Sequence, residues 1–173
     1  MMDSEGPGAI VRIWSANPKG TLRIYLDGAE TPVLESPMAD LLGGKMEGIP
    51  KPIAGERSRG WNCYLPIPYA THCKITSDAG DFYYQVNYRT YAAGTRVCTF
   101  DRGELRAQAK RIAVVAKRLA SPRTAGAPVG HAKATSFEMK LPPGNFVDLL
   151  TVKGEQELTT IRFRIRSADP AAV

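Results

Sequence analysis

The sequence predicts an all-β protein: an antiparallel jelly-roll β-sandwich carrying one amphipathic helix at about residues 101–120. Three observations carry the prediction. Short runs of alternating apolar and polar residues recur along the chain, separated by turn signals drawn from 16 glycines and 13 prolines. The hydrophobic period lengthens to that of a helix only once, between Asp101 and Ala120. A phrase near the start, Val11-Arg12-Ile13-Trp14-Ser15-Ala16-Asn17-Pro18, returns without a gap near the end as Phe163-Arg164-Ile165-Arg166-Ser167-Ala168-Asp169-Pro170.

The elements follow in order. Gly8 to Trp14 and Thr21 to Asp27 alternate as half-buried strands, and Asn17-Pro18-Lys19-Gly20 supplies the turn between them. Asp27-Gly28 is a second turn signal, and Thr31 to Glu35 reads as a short strand. Residues 37–61 lack periodicity and are rich in Gly and Pro, so a long surface loop is expected, with a helical turn at Met38 to Leu42. Loops of that length in compact domains are usually functional or ligand-facing.

Asn62 to Tyr69 alternates strictly, but Pro66 and Pro68 cannot donate to a ladder, which makes it an edge or bulged strand. Cys73 to Ser77 and Phe82 to Tyr91 flank a hairpin loop, Asp78-Ala79-Gly80-Asp81, and Arg96 to Phe100 is a further short strand. Within the Phe82 to Tyr91 strand, Tyr84, Val86 and Tyr88 fall on the core face. Tyr83, Gln85, Asn87, Arg89 and Tyr91 fall on the other.

Leu105, Ala109, Ile112, Ala116 and Leu119 then recur at helical spacing, with Asp101 as N-cap and Ser121-Pro122 as the stop. Strands resume at Ala134 to Leu141 and Phe146 to Val152, joined by Pro142-Pro143-Gly144-Asn145. The repeated phrase sets the domain reading. Residues 1–152 form the sandwich, and residues 153–173 the first strand of a second, truncated jelly roll. The plainer alternative is two similar edge strands of one sandwich.

Composition bounds the function classes. The 173 residues are 43% hydrophobic and 23% charged, as in a globular protein with room for a sizeable core. No apolar run reaches the roughly 18 residues of a membrane span. Met1-Met2-Asp3-Ser4-Glu5-Gly6 has neither a basic nor an apolar leader region, so no signal peptide is visible and localisation stays unassigned. The net charge of +6 gathers in Arg102, Arg106, Lys110, Arg111, Lys117, Arg118 and Arg123, without a nucleic-acid motif. A solvated helix face accounts for it, and neither nucleic acid nor membrane is an expected partner. Cys63, Cys73 and Cys98 form no CxxC pair and have no His at ligand spacing. Buried free thiols are expected and no metal or other cofactor. A Cys63–Cys73 bridge requires strands that bring the two together.

Three phrases in order resemble the DUF2961 family, also called glycoside hydrolase family 172. They are Glu5-Gly6-Pro7-Gly8-Ala9-Ile10-Val11-Arg12-Ile13-Trp14, then Leu22-Arg23-Ile24-Tyr25-Leu26-Asp27-Gly28 leading to Pro37-Met38-Ala39-Asp40-Leu41-Leu42-Gly43, then Gly60-Trp61-Asn62-Cys63-Tyr64-Leu65-Pro66-Ile67-Pro68-Tyr69. The resemblance implies two jelly rolls, retaining cleavage of fructofuranosyl or arabinofuranosyl bonds, and oligomers with active sites near subunit contacts. It also implies two catalytic glutamates, in Gly-Glu-Gly and Gly-Thr-Gly-Thr-Glu-Asp phrases. Neither phrase occurs here, so no residue of this chain inherits a catalytic role. Asp40, Glu56, Asp78 and Asp81 are carboxylates without that context; Asp78 and Asp81 bracket a hairpin, where turn-forming Asp is ordinary.

The candidate substrate-binding residues are Arg57, Arg59, Trp61 and Asn62 of one Gly-flanked stretch, with Asn87 and Tyr91 on the outer face of the tyrosine-rich strand. Aromatic faces and amides of this kind hold sugars. Trp61 as a plug at the sandwich end, with the arginines paired to acids such as Glu56, is the structural alternative. The expected function is the N-terminal scaffold and assembly portion of a furanoside-hydrolase-like protein, non-catalytic alone. A furanoside carbohydrate, a second copy or a second jelly roll would be its partner. The alternative is a free-standing carbohydrate-binding sandwich.

Overall fold

The computed structural model describes residues 1–121, 135–155, 161, 164 and 166. Two compact units, Met1–Pro122 and Arg123–Val173, are considered separately. Along the first unit come β1 (Met2–Glu5), β2 (Gly8–Ser15), β3 (Thr21–Leu26), β4 (Leu34–Pro37), α1 (Met38–Leu42), β5 (Ala54–Arg57), β6 (Gly60–Cys63), β7 (Ile67–Tyr69), β8 (His72–Ser77), β9 (Tyr84–Thr90), α2 (Glu104–Ala107) and α3 (Ala109–Ala120).

The expected all-β antiparallel sandwich is what forms. One sheet runs β1-β8-β3-β4. The other centres on β2, which pairs β9 along its whole length. The opposite edge of β2 is shared: β7 takes Gly8 to Ile10, β6 takes Ile13 to Ser15, and β5 pairs β6 beyond. Every pairing is antiparallel.

Strict alternation drives the layering. Leu22, Ile24 and Leu26 of β3 and Cys73 and Ile75 of β8 point inward, against Ile10 and Ile13 of β2 and Ile67 and Tyr69 of β7. Fully burying one such Ile or Leu is worth about 1.5–3 kcal/mol, so this layer holds the sheets together.

Several expectations change. Residues 37–61 are not a surface loop. Met38, Leu41 and Leu42 of α1, with Ile49, Ile53 and Ala54, are buried in the core, and β5 pairs β6. The helical turn expected at Met38 to Leu42 forms as α1; the β5–β6 hairpin was hidden because so short a pair carries no clear period. Asn62 to Tyr69 is two strands: Pro66, in the connection between β6 and β7, has no N–H to donate, while Pro68 lies inside β7 opposite Ala9. Arg96 to Phe100 is not a strand; Phe100 N donates to Pro68 O at 2.9 Å, and the Thr99 hydroxyl donates to Asp27. Met2–Glu5, unforeseen, pairs β8.

The helix at 101–120 divides at Gln108 into α2 and α3. Asp101 Oδ1 accepts the Gly103 N–H at 2.8 Å and so opens the turn ahead of α2. Leu105 and Ala116 are buried in the core, with Ile112 half-buried beside them, while Val114, Val115 and Leu119 stay exposed.

On β9, Val86 reaches the core, but Tyr84 and Tyr88 remain 42% and 47% exposed. They sit on the core-facing side of an edge strand, and their side chains are only partly covered.

In the second unit, residues 135–155 form no strand among the described residues, although Asn145 N closes the expected turn on Pro142 O at 3.2 Å. An alternating pattern becomes a strand only when a neighbour takes up its N–H and C=O groups, and Pro142 and Pro143 have no N–H to offer. Of the second copy of the repeated phrase only Arg164 and Arg166 are described, so the echo at 163–170 lies largely outside the described residues.

Candidate functional site

The outward face of the β2 sheet carries a cluster of linked polar side chains, and a bulge creates it. The β2–β9 register slips between Ile10 and Arg12: Ile10 faces Tyr88, and Arg12 faces Asn87. Without the slip, Ile10 and Arg12 would share a face. The extra residue, Val11, reverses the phase, so that Ile10 and Ile13 both enter the core while Arg12 and Trp14 point outward.

Cross-strand partners then converge on Arg12. Its Nε donates to Asn62 Oδ1 at 3.1 Å. Its Nη1 donates to Gln85 Oε1 and to Asn87 Oδ1, each at 3.1 Å. The Tyr64 hydroxyl donates to the same Asn62 oxygen at 3.3 Å, and Asn62 Nδ2 donates to Gly60 O at 3.0 Å. The guanidinium carbon lies 6.0 Å from the Trp14 ring centre and 5.9 Å from that of Tyr64. Gly60 makes room for the indole: a Cβ there would stand 2.5 Å from Trp14 Nε1.

The register also sorts charge. Asn62 opposes Trp14 and Gly55, and Gly60 opposes Arg57, which puts Arg57 on the face of Arg12. Arg89, two residues beyond Asn87 on β9, shares that face. None of the three arginines forms an ion pair among the described residues, and no carboxylate of these strands points to that side.

The sequence-nominated residues fall in three places. Asn62 and Asn87 meet through Arg12. Trp61 points the other way and packs on the core; a Cβ on Gly43 of the α1 end would come within 2.9 Å of its ring. Arg57 and Arg59 sit at the exposed β5–β6 hairpin, where Ser58 and Arg59 adopt φ of 48° and 63°. Tyr91 lies past the other end of β2, its N–H bonded to Pro7 O at 2.8 Å. The run of β2 from Gly8 to Ser15 separates those two ends by roughly 23 Å. Arg12, Trp14 and Tyr64 were not foreseen, and Gln85 was placed on the outer face of its strand without being nominated. Their signal was the shared period of Gln85 and Asn87 opposite Arg12 and Trp14, readable only once β2 and β9 are known to pair.

The carboxylates serve the framework. Asp27 sits at φ 52° in the turn after β3. It accepts Thr71 N at 2.6 Å, Thr71 Oγ1 at 3.0 Å, His72 N at 3.1 Å and Ala70 N at 3.3 Å, and the Thr99 hydroxyl as well. Partial burial pushes its pKa up, but the bonds from Thr99, Thr71, His72 and Ala70 outweigh it and hold the carboxyl at about 2. Asp78 accepts Thr21 N at 2.7 Å and lies 3.4 Å from Arg23, which lowers its pKa. Asp81 pairs Lys19 and Asp40 pairs Lys45, each at 3.3 Å. Glu56 is exposed on β5.

Cys63 and Cys73 are free, buried thiols on different sheets, and burial pushes their pKa values up to about 11 and about 12. Cys98 is also free but exposed, contrary to expectation. Among the described residues no His, Cys, Asp and Glu group could hold a metal ion. A hollow of about 400 Å³ between the β8–β9 loop and Met1 holds one carboxylate, Asp81. A second, of about 280 Å³ on α3, is lined by Lys110, Arg111, Val114 and Val115 and holds none.

A protein-family model described as the GH172 first beta-sandwich domain matches residues 1–108. No curated protein matches the chain.

Proposed function

The chain belongs to the family of GH172 first beta-sandwich domains, and from that premise we propose that it is the scaffold and assembly portion of a furanoside hydrolase, fructofuranosyl or arabinofuranosyl, without hydrolytic activity of its own. The placement of its carboxylates is the observation that supports this reading. Retaining cleavage requires two carboxyl groups roughly 5 Å apart across the sugar. Here Asp27 is spent on backbone N–H groups and hydroxyls, Asp78 and Glu35 on Arg23, and Asp81 on Lys19. Neither hollow contains a carboxylate pair.

Assembly has its own support. Tyr84 and Tyr88 of β9, and Val114, Val115 and Leu119 of α3, stand exposed in an otherwise ordered sandwich. Exposed apolar surface of this kind marks contact sites for a partner domain or a second copy. Sedimentation velocity over a concentration series tests it. Concentration-dependent self-association is expected, and a monomer at every concentration would argue against an assembly role.

A further inference from the structure

We propose that the outward face of the β2 sheet is a binding site for a neutral, hydroxyl-rich saccharide, centred on Arg12. This deepens the glycoside-hydrolase reading and rests on it.

The donor inventory of Arg12 decides the ligand class. A guanidinium grips a carboxylate through two parallel N–H groups along one edge. Both such edges are occupied here: Nε is given to Asn62, and Nη1 to Gln85 and Asn87. The two N–H groups on Nη2 remain, diverging from a single nitrogen. They suit two separate hydroxyl oxygens better than one carboxylate.

The surrounding groups match that selection. An arginine only donates, so the amide oxygens of Gln85 and Asn87 face it. Their NH₂ groups are thereby kept off the guanidinium, and both residues are exposed, which leaves them available as further donors. The Tyr64 ring is 46% exposed and Trp14 is half-buried, so aromatic surface lies beside those donors. Sugars present C–H faces to aromatic rings and hydroxyls to such donors. Three neutral acceptors hold the cation, with no carboxylate against it. An ordinary solvated sheet face scatters lysines and glutamates instead, and this one carries amides, arginines and aromatic rings.

The test is isothermal titration of the whole chain with a neutral oligofructoside, with xylotetraose, and with an oligogalacturonate, each at low and high salt. Asn87→Ala, Tyr64→Ala and Gln85→Ala remove exposed side chains, and circular dichroism confirms that each variant is folded. Binding of a neutral oligosaccharide of either ring size is expected, insensitive to salt and weakened roughly 5- to 10-fold by at least one variant. Three results would each overturn the assignment: no neutral oligosaccharide binds; binding is indifferent to all three variants; or only the oligogalacturonate binds and salt abolishes it. Hydrolysis during the titration would contradict the scaffold reading and leave the binding site standing. Absence of binding would remove the site and leave the scaffold.

Discussion

Arg12 Nε and the Tyr64 hydroxyl share one acceptor, Asn62 Oδ1, at 3.1 and 3.3 Å. Asn62 is 6% exposed, and it also closes on Gly60 O, so a single side chain joins β2, β6 and the start of the β6–β7 connection. The cluster that gives this face its chemistry therefore also contributes to its rigidity.

Asn62→Ala removes one donor and the shared acceptor from a buried position. Leaving Arg12 Nε and the Gly60 carbonyl short of partners should cost about 1–3 kcal/mol. Asn87→Ala, at an exposed position, should cost under about 1 kcal/mol. Urea denaturation of both variants checks the contrast, and equal losses would mean that Asn62 is not the structural member of the pair.

Asp27 makes stability depend on pH. Its folded pKa of about 2 lies below the ordinary value of 3.8, so it contributes stability that is fully present above about pH 5. That contribution is lost as pH falls through 3.8 towards 2. The residue is exposed, so solvent screening reduces the effect to about 1–2 kcal/mol. Asp27→Asn should lower stability at neutral pH and flatten the decline between about pH 5 and 2. Denaturation curves at stepped pH would reveal a parallel decline in the variant if this assignment were wrong.

Two glycines are fixed by what lies over them. A Cβ on Gly8 would stand 2.5 Å from both the Arg89 carbonyl and the Tyr69 hydroxyl. The carbonyl belongs to the β9 ladder and cannot yield, so Gly8→Ala should destabilise by about 1–3 kcal/mol. Gly60→Ala puts a Cβ 2.5 Å from the Trp14 indole, a side chain that can move, and at the looser distance of 3.3 Å from the Arg57 carbonyl. It should cost less and shift the Trp14 fluorescence. Thermal melts and emission spectra separate the two cases.

The fold was legible where periodicity is local. The alternation of β2, β3 and β8 and the helical spacing from Leu105 to Leu119 all correspond to elements of the structure. The site was half legible. Asn62 and Asn87 were nominated, but Arg12 lies 50 and 75 residues from them and 73 from Gln85. Only the sheet order makes those residues neighbours. The bulge at Val11 was equally hidden, since strict alternation places Val11 and Ile13 on one face and says nothing of a phase change. Trp61 had two readings in the sequence, a sugar contact on a Gly-flanked stretch and a plug at the sandwich end, and the second matches its packing on the core. That packing lies beside the end of α1, a contact between chain segments that no local pattern reveals.

The thiols should react in two classes. Cys98 is exposed, whereas Cys63 and Cys73 are buried, with pKa values pushed up by burial. Ellman's reagent should modify one thiol quickly under native conditions and the other two only on unfolding. Rapid modification of all three would show that the two sheets open readily.

The most direct measurement is turnover of a panel of aryl α-fructofuranosides and α-arabinofuranosides by the purified chain, beside a GH172 enzyme that carries both catalytic glutamate phrases. The account predicts release of the aryl group by that enzyme and none by this chain above the buffer rate. Turnover by the chain itself, abolished by replacing one of its own carboxylates, would contradict it.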